Sequence, residues 1–246
     1  MILALLADLH ANIEALNACL RHAGERGAER FAFLGDLVGY GADPAAVVDL
    51  VADHAARGAI VVQGNHDAAV RNGAGGLNDT ASEALEWTRG ALSPAQRAFL
   101  ASLPLIVRED EVSFVHATAY SPERWAYIET NGAARQSIEA AATTYTFGGH
   151  VHQQVLYFHT RVGKVAPFLP TAASPIPVPS HRRWHAIVGS VGQPRDGNPA
   201  AAYALFNSVS EEMTFFRVAY DHLAAAEKIR RAGLPESLAI RIENGV

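Results

Sequence analysis

The chain has 246 residues, a net charge of −5 and 49% hydrophobic residues, which allows one large domain with a substantial buried core. Its 20 Lys and Arg and 25 Asp and Glu residues form no run of like charge, which excludes a long nucleic acid as an expected partner. Cys19 is the only cysteine, so an intrachain disulfide is excluded, and no segment predicts a membrane span or a signal peptide. We therefore expect a cytoplasmic protein that forms a single domain over residues 1–246.

The first part of the chain alternates between predicted strands and helices. Apolar runs predict strands over residues 2–7, 31–34 and 60–63, and helical periodicity predicts helices over residues 12–26 and 44–57. This βαβαβ order implies parallel strands joined by right-handed crossovers. The carboxyl ends of the strands would then meet at one rim of the sheet, where open α/β sheets carry their active groups.

The next segment predicts a small helical cap beside this rim. A glycine-rich loop over residues 72–76 precedes two helices, whose starts match capping boxes at residues 80–83 and 93–96. Two interpretations are open for these helices. They either pack against the domain without a further role or shape the side of the site on which a leaving group would lie.

The second half of the chain is richer in strands. We predict a hairpin over residues 105–115, helices over 131–142 and 222–233, and strands over 144–147, 155–158, 162–168, 184–188, 201–206 and 213–218. The four prolines of residues 170–180 are typical of an edge strand or a stiff surface connector, and we favour the connector. The order of elements predicts an α/β fold, a four-layer α/β/β/α sandwich of two mixed sheets flanked by helices.

Oxygen and imidazole side chains follow the ends of several predicted strands. In chain order, the runs that carry them are Asp8-Leu9-His10, Gly35-Asp36, Gly64-Asn65-His66-Asp67, His116 and His150-Val151-His152. Carboxylates balance the charge of divalent cations, and neutral imidazoles complete each coordination shell without cancelling the Lewis acidity. The two-residue spacing of the first and last runs places both side chains on one face of an extended strand end. The ordered set therefore indicates a two-metal hydrolytic centre.

These runs resemble the calcineurin-like metallophosphoesterases, in particular compact bacterial and archaeal phosphodiesterase-like members. The similarity continues into the later run Gly189-Ser190-Val191-Gly192-Gln193-Pro194-Arg195-Asp196-Gly197. The resemblance implies two ions bridged by Asp36. It assigns one ion to Asp8, His10 and His152, and the other to Asn65, His116 and His150.

The resemblance also implies roles for the two residues that follow Asn65. His66 would meet the phosphate and protonate the leaving oxygen. Asp67 would either orient His66 and raise its basicity or only cap the segment that follows. The sequence leaves both roles of Asp67 open.

The leading functional hypothesis is hydrolysis of a small phosphodiester or a nucleotide-like phosphoanhydride, with attack by a hydroxide that bridges the two metal ions. The alternatives are a phosphomonoesterase, including one with protein phosphatase-like activity, and a non-catalytic metal-binding module of the same fold. The ligand types suit manganese, iron, zinc, cobalt and nickel alike. The expected partner is a small phosphorylated substrate, and the sequence does not predict an oligomeric state.

Four other residues are candidates for contact with the substrate. The guanidinium of Arg195 suits phosphate recognition, but the favoured interpretation is an ion pair that braces its loop. His159, His181 and His185 lie between the last metal motif and Gly189, where one of them could reach the substrate.

Overall fold

The computed structural model describes residues 1–73, 78–160 and 162–246. Within them the strands are β1 (Ile2–Leu6), β2 (Arg30–Phe33), β3 (Ile60–Val61), β4 (Ile106–Glu109), β5 (Val112–Val115), β6 (Tyr145–Gly148), β7 (Gln154–His159), β8 (Val165–Phe168), β9 (Pro175–Pro177), β10 (Trp184–Val188), β11 (Ala201–Asn207) and β12 (Glu212–Val218). The helices are α1 (Ile13–Glu25), α2 (Pro44–Ala56), α3 (Asn65–Asn72), α4 (Asp79–Ala91), α5 (Pro94–Ser102), α6 (Asn131–Ala141), α7 (His222–Arg231) and α8 (Glu236–Asn244). None of these helices has the length and hydrophobicity that crossing a membrane would require.

The strands form two mixed sheets of six strands each. The first has the order β3-β2-β1-β11-β12-β9, and the second has the order β4-β5-β6-β10-β7-β8. Strands β1, β2 and β3 are mutually parallel, as are β5, β6 and β10. Because the parallel strands of each sheet point the same way, the loops after them gather at one edge of that sheet.

Strand β1 shows how the sequence creates the layers. Leu3 and Leu5 belong to the core between the two sheets, whereas Ala4 and Leu6 belong to the core beneath α1 and α2. Successive side chains of a strand point to opposite faces, so a strand that is covered on both faces is apolar throughout. On the outer face of the second sheet, Ile138 of α6 packs in a further cluster. The predicted α/β/β/α sandwich is confirmed.

The helices near the predicted cap differ from expectation in two respects. Helix α3 begins directly at Asn65, where no helix was predicted, and α4 is capped by the side chain of Asn78 and not by a box at Thr80. The second capping box is present, with Ser93 and Gln96 bonding each other's backbone amides. Of the predicted glycine-rich loop over residues 72–76, residues 74–76 lie outside the described part of the chain.

The proline-rich segment contains an edge strand where we favoured a connector. Residues of β9 pair with β12, with Ile176 opposite Met213, and the N–H of Val178 donates to the carbonyl of Glu211. The backbone N–H groups of alternate residues therefore point toward β12, and Pro175 and Pro177 occupy the positions between these residues. A proline has no N–H to donate, so these positions end the sheet and discourage pairing with another strand.

Candidate metal centre

The seven residues predicted as metal ligands come together at one edge of the sandwich. Asp8 and Asp36 follow the parallel strands β1 and β2, and Asn65 is the first residue of α3 after β3. In the second sheet, His116 follows β5, and the pair of His150 and His152 follows β6. Six of them are almost completely buried: Asp8, His10, Asp36, His116, His150 and His152.

The donor atoms form groups that share one carboxylate. In one group Asp8, His10 and His152 have donor atoms within 4.8 Å of one another, and the same holds for Asp36, His116 and His150. Oδ2 of Asp36 lies 3.3 Å from Nε2 of His116 and 3.8 Å from Nε2 of His10, so it lies between the two groups. Asn65 joins the second group, since its Oδ1 is 3.2 Å from Nε2 of His116. This is the arrangement that a shared, bridging ligand requires.

The orientation of the imidazoles suits cations. The Nδ1 atoms of His10, His116 and His152 lie 3.3, 2.8 and 2.6 Å from the backbone carbonyls of Val38, Leu34 and Gln193. A carbonyl only accepts, so in a neutral ring the hydrogen is on Nδ1 and the Nε2 lone pair is free.

The free lone pairs of these rings face other acceptors. Nε2 of His10 and Nε2 of His152 are 3.1 Å apart, as are Nε2 of His116 and Nδ1 of His150. Paired lone pairs at this distance repel each other unless a cation or a proton lies between them. The donor set therefore fits divalent ions.

The pKa values of His150 and His116, two histidines of the second donor group, also bear on cation binding. Burial, followed by the nearby His116, lowers the pKa of His150 to about 4. Burial alone would also lower the pKa of His116, but the carboxylates of Asp36 and Asp8 raise it to about 9. A proton therefore occupies His116 near pH 7 when no cation is bound, and a metal ion would displace it.

The backbone at the ligands lies in the left-handed region. The φ angles are 53° at Asp8, 45° at His10, 51° at Asp36, 69° at His150 and 63° at His152. Residues other than glycine adopt this region at a cost and keep it only where the surroundings enforce it. Such strain concentrates at functional sites, and here it coincides with five of the seven predicted ligands.

Two glycines allow the backbone to approach the carboxylates. A Cβ added at Gly64 would overlap the backbone nitrogen and Oδ1 of Asp36, and one at Gly149 would overlap Oδ2 of Asp8. Both glycines precede a predicted ligand in the sequence. They hold two loops in contact with the carboxylates of the other strands.

We expect Gly64→Ala to destabilise the protein by roughly 1–3 kcal/mol and to lower its metal content, since the overlapping atoms include backbone that cannot rotate away. The φ of Gly64 is −100°, which alanine adopts freely, so the effect would come from space alone. Gly90 in α4 has open space around its added Cβ, and Gly90→Ala should be neutral or stabilising by up to about 1 kcal/mol. Denaturant unfolding and metal analysis of both variants test this prediction. Equal stability and equal metal content in the two variants would contradict it.

His66 lies beside the ligands, and Asp67 does not contact its ring. The donor atoms of His10, Asp36 and His66 form a third close group, and the His66 amide donates to Oδ1 of Asp36 at 2.9 Å. The carboxylate of Asp67 accepts hydrogen bonds from the backbone amides of Leu37, Val38 and Gly64. These bonds correspond to the capping alternative, in which Asp67 holds the start of α3 to the Asp36 loop, and among the described contacts none orients His66.

A family model described as the calcineurin-like phosphoesterase superfamily domain matches residues 1–211. The chain belongs to this superfamily. The uncharacterized protein MJ0912 of Methanocaldococcus jannaschii is 32% identical to it over 249 residues, covering 98% of this chain and 96% of that protein.

Two solved structures resemble this calcineurin-like phosphoesterase over its whole length. The crystal structure of a metallophosphoesterase from Sphaerobacter thermophilus has 36% identity and a TM-score of 0.88, with 100% of both chains covered. That of the hypothetical protein PH1004 from Pyrococcus horikoshii has 19% identity and a TM-score of 0.80, covering 100% of this chain and 98% of that one. The resemblance expected from the motifs is confirmed, and with it a phosphoester hydrolase family.

A cavity of about 420 Å³ opens beside the metal centre of this phosphoesterase, and His66, Asn65 and His150 form part of its wall. Aromatic residues form another part, including Tyr40 and Trp125. A further lining residue, Tyr127, stacks on the ring of His150 with centroids 4.0 Å apart. Of the predicted cap segment, Asn72 and Gly73 of the loop and Asn78 and Ala81 at the start of α4 line the cavity. Sequence reasoning missed all three aromatics, which lie in loops without periodicity.

The remaining histidine candidates lie away from the metal centre. His159 and His181 line a separate cavity of about 450 Å³ near Thr144 and Arg183, at the opposite ends of β6 and β10 from the ligands. His185 is fully buried within β10, and neither of its ring nitrogens has a hydrogen-bond partner among the described residues. Burial lowers the pKa of His185 to about 3.

His185 should make the folded protein sensitive to acid. Its folded pKa of about 3 lies below the value of roughly 6.5 for an unfolded chain, so its contribution to stability is complete above pH 6.5 and is lost as the pH falls toward 3. In His185→Leu, the slope of unfolding free energy between pH 4 and 6 should decrease by about 1.4 kcal/mol per pH unit, the contribution of one proton. Denaturant titrations at several pH values measure this slope. An unchanged slope in His185→Leu would contradict a lowered pKa for His185 in the folded protein.

Proposed function

We propose that the protein is a binuclear metal-dependent phosphoesterase that hydrolyses a small phosphodiester or a nucleotide-like phosphoanhydride. The observation that carries this proposal is the position of Asp36, whose Oδ2 lies within 4 Å of imidazoles from both donor groups. A carboxylate so placed can hold two cations at the spacing that a shared ligand imposes. We further propose that the chain acts as one domain in the cytoplasm.

Each of the seven candidate ligands has a definite part in this proposal. Asp8, His10 and His152 would hold one ion, Asn65, His116 and His150 the other, and Asp36 both. Two bound divalent ions would supply Lewis acidity toward the phosphoryl oxygens and would acidify water. The protein fixes the donors beforehand, through the backbone carbonyls that orient the rings and through the strained loops that carry them.

His66 is the proton donor in this proposal. Its Nδ1 is buried without a hydrogen-bond partner against Gly39, whose added Cβ would lie 2.6 Å from that atom. Nε2 is therefore the nitrogen available to the cavity beside the metal centre. From there it would protonate the departing oxygen of the substrate.

The two cavities that meet at Tyr127 favour a substrate with two substituents on phosphorus. Tyr127 lines both the cavity with His66 and a second cavity of about 440 Å³, which is also lined by Val151, Tyr157 and Arg195. A phosphodiester or a phosphoanhydride has a group for each cavity, whereas a monoester fills only one. This supports the diester proposal over a monoesterase, and the presence of His66 beside a complete donor set supports it over a non-catalytic module.

The test is hydrolysis by the purified protein after removal of metals and reloading with manganese. We expect bis(p-nitrophenyl) phosphate to be hydrolysed with a higher kcat/KM than p-nitrophenyl phosphate, and the activity to disappear on chelation and return with the ion. A preference for the monoester would favour the phosphomonoesterase. Metal binding without hydrolysis of either compound would favour the non-catalytic module.

A further inference from the structure

The loop that follows β10 contacts the metal centre from the second sheet. Oγ of Ser190 donates to the carbonyl of Asp8 at 2.8 Å and accepts the amide of Gln193 at 2.8 Å. The carbonyl of Gln193 in turn accepts from Nδ1 of His152. The loop therefore has a fixed position relative to two predicted ligands, and it carries Arg195 to the same place.

Arg195 is not in the loop-bracing ion pair that the sequence favoured. Its neighbour Asp196 pairs with Arg217, and among the described residues no carboxylate forms an ion pair with Arg195. Glu129 lines the second cavity with Arg195 but is exposed and makes no bond to it. One terminal nitrogen of Arg195 donates to Oε1 of Gln193 at 2.9 Å. Its guanidinium charge therefore has no carboxylate partner.

The surroundings direct this guanidinium toward the metal centre. Its central carbon lies 5.9 Å from the ring centroid of Tyr40, which also packs on His10 and His66. Its Nε is buried without a hydrogen-bond partner, and so is Nε2 of Gln193, a residue that is 0% exposed. Buried donors without acceptors are rare and costly, and two of them on side chains that bond each other indicate a ligand that accepts hydrogen bonds.

We infer that Arg195, positioned by Gln193 and Tyr40, binds a non-bridging oxygen of the substrate phosphoryl group at the boundary between the two cavities. This inference rests on the proposed function, because it places the phosphorus beside the metal ions. An arginine suits the task, since its rigid fork of N–H donors matches the oxygens of a phosphate and its charge is permanent. The phosphate would also provide a negatively charged partner for the guanidinium of Arg195, which forms no ion pair with a carboxylate among the described residues.

The test compares Arg195→Gln and Arg195→Lys with a matched control. Arg182 also lies over an aromatic ring, 5.7 Å from the centroid of Phe158, but in the cavity at the opposite edge, so Arg182→Gln should change nothing at the centre. With manganese-loaded protein, calorimetry gives the affinity for inorganic phosphate, and kinetics give KM for bis(p-nitrophenyl) phosphate. We expect Arg195→Gln to weaken phosphate binding about 10- to 100-fold and to raise KM, with unchanged metal content and Tm. Arg195→Lys should recover part of the affinity, since it restores the charge without the fork.

The outcomes separate this inference from the proposed function. Phosphate binding that is equal in wild type and Arg195→Gln would overturn the inference even if the wild type hydrolyses diesters. Loss of metal in both Arg195 variants would also overturn it, because the arginine would then act through His152 and not on the substrate. If the wild type hydrolyses no ester, weaker phosphate binding by Arg195→Gln would still support the anion site while the proposed function fails.

Discussion

Replacing Asp36 with asparagine is expected to abolish both metal pairing and phosphoesterase activity. Oδ2 of Asp36 lies 3.8 Å from Nε2 of His10 and 3.3 Å from Nε2 of His116, so it reaches imidazoles of both donor groups. Asparagine removes the charge of this carboxylate while preserving its size. Lewis-acid stabilisation by bound ions contributes several kcal/mol, so its loss should lower kcat/KM by about a thousand-fold or more. Metal analysis by mass spectrometry should find at most one ion per chain in Asp36→Asn.

A suitable control for this variant is Asp110→Asn, which makes the same chemical change in the exposed turn between β4 and β5. Asp110 also has a left-handed backbone, with φ of 48°, so the two variants share the local conformational effect of asparagine. We expect Asp110→Asn to retain full metal content and activity. An Asp36→Asn variant that keeps two ions would show that the carboxylate does not bridge them.

The second large effect is expected for His66→Gln, which should lower kcat by about 10²- to 10⁴-fold while sparing the metals. In our proposal His66 protonates the leaving oxygen, and glutamine fills the site without that capacity. The rate loss should be smaller for substrates whose leaving groups have low pKa values, because these leave without a proton. Steady-state kinetics with a series of phenyl phosphodiesters, together with metal analysis, measures both effects.

The metal content of His66→Gln decides between two roles. The donor atoms of His66, His10 and Asp36 lie within 4.8 Å of one another, so a ligand role is the competing explanation. Loss of an ion in His66→Gln would show that His66 is a ligand and would remove it as the acid. His181→Gln, an exposed substitution at the opposite edge, should change neither metal content nor rate.

Much of the fold was predictable because burial of a sheet on both faces leaves long apolar runs, as in β1 and β11. Helix α3 was missed because its polar residues have no clear apolar periodicity, and its start depends on bonds that Asp67 makes to distant amides. Helix α8 was missed for a related reason. A glycine and a proline end the predicted tail near residue 233, and beyond them the chain forms α8, which packs against α7.

The candidate site was predictable where chemistry and strand ends coincide in the sequence. Asp8, Asp36 and His116 each follow a recognisable strand, so their convergence could be predicted from topology. The aromatic residues that line the cavity could not be predicted in this way. Trp125, for example, lies in a loop that has no repeating sequence pattern, and its φ is a left-handed 52°. The environment of Arg195 could not be predicted either. The sequence favoured a loop-bracing ion pair for Arg195, but the neighbouring Asp196 pairs with Arg217 from a distant strand.

The pairing of β1 with β11 has a consequence for synthesis on the ribosome. Ile2 is opposite Asn207 and Leu5 is opposite Ala204, so the second edge of this central strand stays open until the chain is more than four-fifths complete. A nascent chain that has already acquired Asp8, Asp36 and His116 therefore still exposes an apolar strand edge, a known template for aggregation. We expect translation pausing before residue 201 to increase chaperone dependence, and a fragment of residues 1–200 to be insoluble despite containing every predicted ligand.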